Sequence, residues 1–107
     1  VKHGMGVKEV REDSLNLEYT HLFSSPSSDS SIRVYIVNVT PGAYRKRIST
    51  NANELIYVIS GKVNYLLKKD TVLLEKGDLL YFDGSIPHGV SNEFSEEAVM
   101  LKIYFLH

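Results

Sequence analysis

"GDLLYFDGSIPHGVSN", residues 77–92, is the stretch that decides how this chain folds. Asp78–Phe82 is a short apolar and aromatic run, Asp83-Gly84-Ser85 is a turn, and Gly89–Asn92 resumes an extended chain after Pro87 and His88. Apolar and aromatic residues suit a pleated, half-buried strand. Asp, Gly and Ser supply the backbone conformations and local hydrogen bonds of a tight turn.

The same rhythm runs along the rest of the chain. Strand-like runs are Val7–Arg11, Leu15–Phe23, Ile32–Thr40, Ala43–Ile48, Leu55–Ser60, Lys62–Lys68, Thr71–Glu75, Asp78–Phe82, Gly89–Asn92 and Val99–Phe105. Turn-forming residues separate them: the serine-rich segment 24–31, Pro41-Gly42, Ser60-Gly61, Lys69-Asp70 and Lys76-Gly77-Asp78. Helical spacing of apolar residues is nearly absent. Many short strands with regular turns predict an all-β sandwich or barrel. In Val63–Leu67 the odd positions are apolar. In the last run Val99, Leu101, Ile103 and Phe105 share one face, while Met100, Lys102 and Tyr104 share the other and would line a cavity or meet a partner.

The length, 107 residues, provides for one domain with one core. An apolar share of 43%, a charged share of 23% and a formal net charge of -1 describe a globular chain with no electrostatic footprint for nucleic acid or a membrane. Arg45-Lys46-Arg47 is the longest basic cluster, and a solvated strand face accounts for it. The chain has no cysteine, which excludes disulfides, thiolate metal sites and thiol nucleophiles and makes the cytoplasm the natural setting. It begins at Val1, as a processed product or a piece of a longer protein would.

One carboxylate raises a question of its own. Glu54 stands directly before the strand-like Leu55-Ile56-Tyr57-Val58-Ile59. A carboxylate at the mouth of a buried strand is costly unless something pairs with it.

Two segments resemble the paired motifs of the cupin superfamily, small β-barrels whose first motif reads G-x5-H-x-H-x3-4-E-x6-G and whose second reads G-x5-P-x-G-x2-H-x3-N. Gly42, Glu54 and Gly61 match the first frame, and Gly77, His88 and Asn92 match the second, within a resemblance covering residues 40–105. The second motif departs at Asp83 and Ser85, where proline and glycine are usual. Its "YFD…IPH" wording, with Pro41-Gly42 ahead of the first motif, is most similar to the cupin domain that follows a DNA-binding helix-turn-helix in bacterial transcriptional regulators. The resemblance implies a double-stranded β-helix, or jelly-roll barrel, of about ten short antiparallel strands. The whole chain, 1–107, would form that domain, with 1–23 as N-terminal strands and a DNA-binding domain upstream in the parent protein.

The first motif departs where its chemistry lies. The two family histidines fall on Ile48 and Thr50, or on Arg47 and Ser49 if one extra residue precedes the glutamate, and the regulator-type barrels favour the shorter register. Family members that bind Fe, Mn, Ni or Zn use those histidines with the carboxylate and the second-motif histidine. Here Glu54 and His88 alone remain as weak metal candidates, and His3, His21 and His107 lie outside both motifs. Two protein donors are too few to retain a transition metal, so a resident metal cofactor is disfavoured.

Glu54 and His88 then form either a buried hydrogen-bonded pair with no further role or part of a pocket for a polar ligand. Ile48, Thr50, Arg47 and Tyr44 would complete such a pocket, with Tyr57, Tyr65, Tyr81 and Tyr104 as further wall candidates. In the longer register the Arg47 guanidinium would enter the barrel and favour an anionic ligand.

By resemblance, the expected function is a ligand-sensing, dimerising domain of a transcriptional regulator. Its partners would be a small-molecule effector and a second copy docked through the N-terminal strands, with no nucleic acid or membrane contact of its own. The alternative is a small stand-alone enzyme of isomerase, lyase or dioxygenase type, working through Glu54 and His88.

Overall fold

Nine strands and no helix make up the described residues, which are 6–9, 14–26 and 31–106 of a computed structural model. They are β1 (Val7–Glu9), β2 (Ser14–Pro26), β3 (Ser31–Ile48), β4 (Ala52–Ser60), β5 (Lys62–Leu67), β6 (Asp70–Glu75), β7 (Leu79–Asp83), β8 (His88–Ser91) and β9 (Ala98–Leu106). Every pairing is antiparallel, in the order β6-β5-β8-β3-β9-β4-β7, with β2 added beside β3 and β1 beside β2. The sheet curls into a nearly closed all-β barrel, the fold class the strand rhythm predicts. Val10 and Arg11 of the first expected strand, residues 27–30 of the serine-rich segment, His3 and His107 lie outside the described residues.

Two expected strands, Ile32–Thr40 and Ala43–Ile48, turn out to be one. Pro41-Gly42 does not end β3 but bends it, with Gly42 at φ 85°, a left-handed conformation that suits a residue without Cβ. Before this corner β3 pairs with β9 from Ser31 to Val39, and after it with β8 from Tyr44 to Ile48. A single strand thus belongs to both halves of the barrel. The serine-rich segment is also shorter than expected: β2 runs on to Pro26, which pairs with Ser31.

The inward side chains change character along the barrel. Val37, Val39, Val58, Val63, Ala98 and Met100, all at most 1% exposed, fill one end. Toward the other end, one inner row across the sheet runs Arg33–Tyr104–Glu54–Phe82 and the next runs Tyr35–Lys102–Ile56–Leu80. The apolar end supplies the driving force for closure. The polar end carries the chemistry.

Candidate functional site

Glu54, at 0% exposure, is the centre of that polar end. Its Oε2 accepts a hydrogen bond from Thr50 Oγ1 at 2.6 Å and lies 2.9 Å from His88 Nε2. Its Oε1 lies 3.2 Å from Lys102 Nζ. Lys102 is 4% exposed and its ammonium also sits 5.0 Å from the Tyr104 ring centre. Oε2 is therefore hydrogen-bonded, while Oε1 has no hydrogen bond among the described residues and is balanced by the Lys102 charge alone, which offsets much of the cost anticipated for a buried acid.

Local structure brings each partner in. Thr50 follows β3 and is tied to the Asp83-Gly84-Ser85 turn: its N–H donates to Gly84 O at 2.7 Å, and Gly84 N–H donates to Ala52 O at 2.7 Å. A Cβ at Gly84 would stand 2.1 Å from Thr50 Oγ1 and 3.0 Å from Glu54 Oε2, so glycine is what lets this turn close over the carboxylate. His88 opens β8. Its Nδ1 lies 2.7 Å from Ile86 O, so it carries the proton that this carbonyl accepts. Its ring packs at 4.8 Å, edge on, against Phe82.

The electrostatics follow from these contacts. Burial pushes the Glu54 carboxyl up, but the His88 hydrogen bond, the Lys102 charge and the Thr50 hydroxyl outweigh it and bring its pKa from 4.5 down to about 2. For Lys102, burial acts downward and the oxygens of Tyr65, Tyr104 and Glu54 act upward, leaving the group well above the ordinary lysine range. Glu54 is the carboxylate within ion-pair distance, so it is the partner that holds this ammonium. The buried Tyr65 phenol is raised, first by desolvation.

Three of the sequence-chosen residues meet here: Glu54, His88 and Thr50. Ile48 pairs with His88 across β3 and β8 and is half-buried. Arg47 and Tyr44 do not join them, because both are on the exposed side of β3, Tyr44 at 48%. A register shift between Arg45 and Ile48 reverses which side chains face inward. Before the shift Ala43 and Arg45 point in, and after it Ile48 and Thr50 face the site, as the shorter register requires. A guanidinium does enter the barrel, but it is that of Arg45, whose Nη1 donates to Tyr19 Oη at 2.8 Å. Among the other tyrosines, Tyr65 and Tyr104 are inside, while Tyr57 and Tyr81 are exposed at 39% and 55%.

Lys102 at the site and Arg45 inside the barrel carry no motif signature. Alternation in the last strand placed Lys102 beside Met100 and Tyr104, the only sequence signal it left. Asn92, the last residue of the second motif, holds loops together: it donates to Val39 O and Glu96 O and accepts from Phe94 N–H, each at 2.9 Å. His21 lies on β2, its Nε2 2.6 Å from Ser24 Oγ.

The donor set does not fit a retained transition metal. Among the described residues no group of three or more His, Cys, Asp or Glu side chains is placed to hold one. The third group at the Glu54–His88 pair is an ammonium, which as a cation has no lone pair to give. Beside this cluster the barrel mouth holds a cavity of about 140 Å³ lined by Arg33, Tyr35, Thr50, Ala52, Tyr104 and Leu106.

Fold, motif frame and buried glutamate–histidine pair together define a small cupin-type barrel. A family model described as "Cupin domain" matches residues 35–104, and the chain belongs to that family. No curated protein matches in sequence. Among solved structures, the polyketide cyclase RemF from Streptomyces resistomycificus superposes with a TM-score of 0.84 at 15% identity, covering 100% of this chain and 78% of that one. A predicted oxalate decarboxylase from Thermotoga maritima gives 0.81 at 15% identity, covering 100% and 98%. The cupin domain of an XRE-family transcriptional regulator from Enterobacter cloacae gives 0.76 at 19% identity, covering 87% and 98%. At such identities these likenesses establish the fold. No helix of the described residues is long and apolar enough to cross a membrane.

Proposed function

We propose that this domain is a ligand-sensing cupin, the effector-binding part of a bacterial transcriptional regulator, and that it works without a resident metal. One observation carries this reading: both Glu54 oxygens are engaged by Thr50, His88 and Lys102, beside a mouth cavity that is open to a ligand. A carboxylate whose pKa is drawn down to about 2 is a weak general base at neutral pH, which counts against the enzyme alternative. The regulator-like wording of the second motif and the likeness to a regulator's cupin domain support the sensor. Native mass spectrometry of protein purified without chelator tests it. A co-purified small molecule with no stoichiometric metal is the expected result. Stoichiometric iron, manganese, nickel or zinc that His88→Ala removes would overturn the metal-free part.

A second copy of the chain is the proposed protein partner. The outer face of the sheet carries Phe23 on β2, Val34 and Ile36 on β3, Leu101 and Ile103 on β9, and Tyr57 on β4. These positions are contiguous and uncharged, so the face is compatible with itself across a two-fold axis. It reaches the N-terminal strand β2, one of the strands expected at the dimer contact.

A further inference from the structure

The mouth cavity is lined by groups of complementary chemistry. Arg33 lies on β3, two strands from Glu54 in the inner row Arg33–Tyr104–Glu54, so strand spacing puts their backbones about 10 Å apart. Its guanidinium is exposed and makes no hydrogen bond or ion pair among the described residues. A guanidinium has donors and no acceptor, and it selects carboxylate or phosphate geometry. Glu9, whose carboxylate accepts from Tyr35 Oη at 3.3 Å, lines the neighbouring cavity together with Arg33.

Thr50, another residue of the cavity lining, presents the opposite requirement. Its hydroxyl hydrogen is already given to Glu54, so toward a ligand Thr50 has acceptor lone pairs only. A ligand spanning the cavity therefore needs an anionic acceptor at one end and a hydrogen-bond donor at the other. An ammonium donor would share the cavity with the Arg33 guanidinium, while the charge of Glu54 is already taken by Lys102. A hydroxyl meets no such repulsion. Size is a third guide: the cavity opens to solvent, and the part it can enclose, about 140 Å³, is close to the volume of a cavity that accepts benzene, about six heavy atoms.

Resting on the ligand-binding reading above, we infer that the mouth cavity takes a short hydroxycarboxylate, its carboxylate on Arg33 and its hydroxyl donating to Thr50. Lactate, with six heavy atoms, is the probe. Propionate lacks its hydroxyl and lactamide lacks its charge.

Isothermal titration of the full chain with these three compounds, against the wild type and Arg33→Gln, tests the inference. Lactate is expected to bind most tightly, propionate more weakly, and lactamide at least about tenfold more weakly than lactate. Arg33→Gln, an exposed substitution with no packing to lose, should weaken lactate about tenfold or more and leave the melting temperature unchanged. Thr50→Val should erase the preference for lactate over propionate while propionate still binds. Equal binding of lactate and lactamide, or lactate binding untouched by Arg33→Gln, overturns the inference. If native mass spectrometry finds an uncharged ligand and the carboxylates do not bind, this inference fails and the sensor reading stands. If nothing binds at all, both fail.

Discussion

Strand β9 has two faces, and they reverse the usual rule. Its inward side chains are Ala98, Met100, Lys102 and Tyr104, all buried, with Lys102 at 4% exposure. Its outward side chains, Val99, Leu101, Ile103 and Phe105, are apolar and only half-buried. Hydrophobicity alone would turn the strand over. What keeps it this way round is the neighbouring strand: β4 sets Glu54 beside Tyr104, where the carboxylate reaches the Lys102 ammonium at 3.2 Å. The inner face is stable as a charged unit, and the outer face is apolar enough to favour a cover.

Breaking the inner unit should have the largest effect. Glu54→Gln leaves the Lys102 ammonium buried without its counter-charge, and removal of one partner of a buried pair costs about 3–5 kcal/mol. Glu54→Gln with Lys102→Met removes both charges at nearly constant volume, while the amide can still accept from Thr50. The double variant is expected to be more stable than Glu54→Gln alone in urea unfolding. Additive losses would mean that the two charges are not coupled.

The same unit makes a slightly smaller pH effect. Glu54 has its ordinary value of 4.5 when unfolded and about 2 when folded. Between these values the unfolded chain takes up a proton that the folded chain refuses, so stability falls as pH falls. The Glu54 contribution is complete above about pH 5 and fades toward pH 2, and a shift of this size corresponds to about 3 kcal/mol. Urea unfolding at pH 6, 5, 4 and 3 measures the slope, and in Glu54→Gln that share of the slope should vanish.

Much of this architecture is legible in the sequence, and the exceptions have common causes. Strand rhythm and the two motif frames suffice for the barrel, for His88 as a partner of Glu54 and for Thr50 at the site. Periodicity fails at irregularities. The shift between Arg45 and Ile48 exchanges the faces of β3, so counting by twos puts Arg45 and Arg47 on one face where the structure separates them. At Pro41-Gly42, turn chemistry marks a corner inside one strand, since local residue preferences do not reveal whether pairing continues on a new neighbour. Lys102 was hidden for another reason: a buried lysine is credible only once its carboxylate is placed, and that contact joins positions 48 residues apart in the chain. Arg33 needed the cross-strand row, which no local pattern shows.

The outer face should give the smallest change in subunit stability and the clearest change in assembly. Leu79 and Tyr57 pair across β7 and β4 at 58% and 39% exposure, so replacing both by lysine removes little packing within the subunit. Surface substitutions of this kind usually stay within about 0.5 kcal/mol. If a second copy covers the face, the wild type scatters light as a dimer at micromolar concentration and its melting temperature rises with concentration, because association stabilises by mass action. The lysine pair would then be monomeric, and its melting temperature would not depend on concentration. At high dilution the two proteins should melt alike, since both are then single subunits with the same inner unit intact. A wild type that is already monomeric at micromolar concentration would remove the second copy as the cover, and the apolar outer face of β9 would need a different partner.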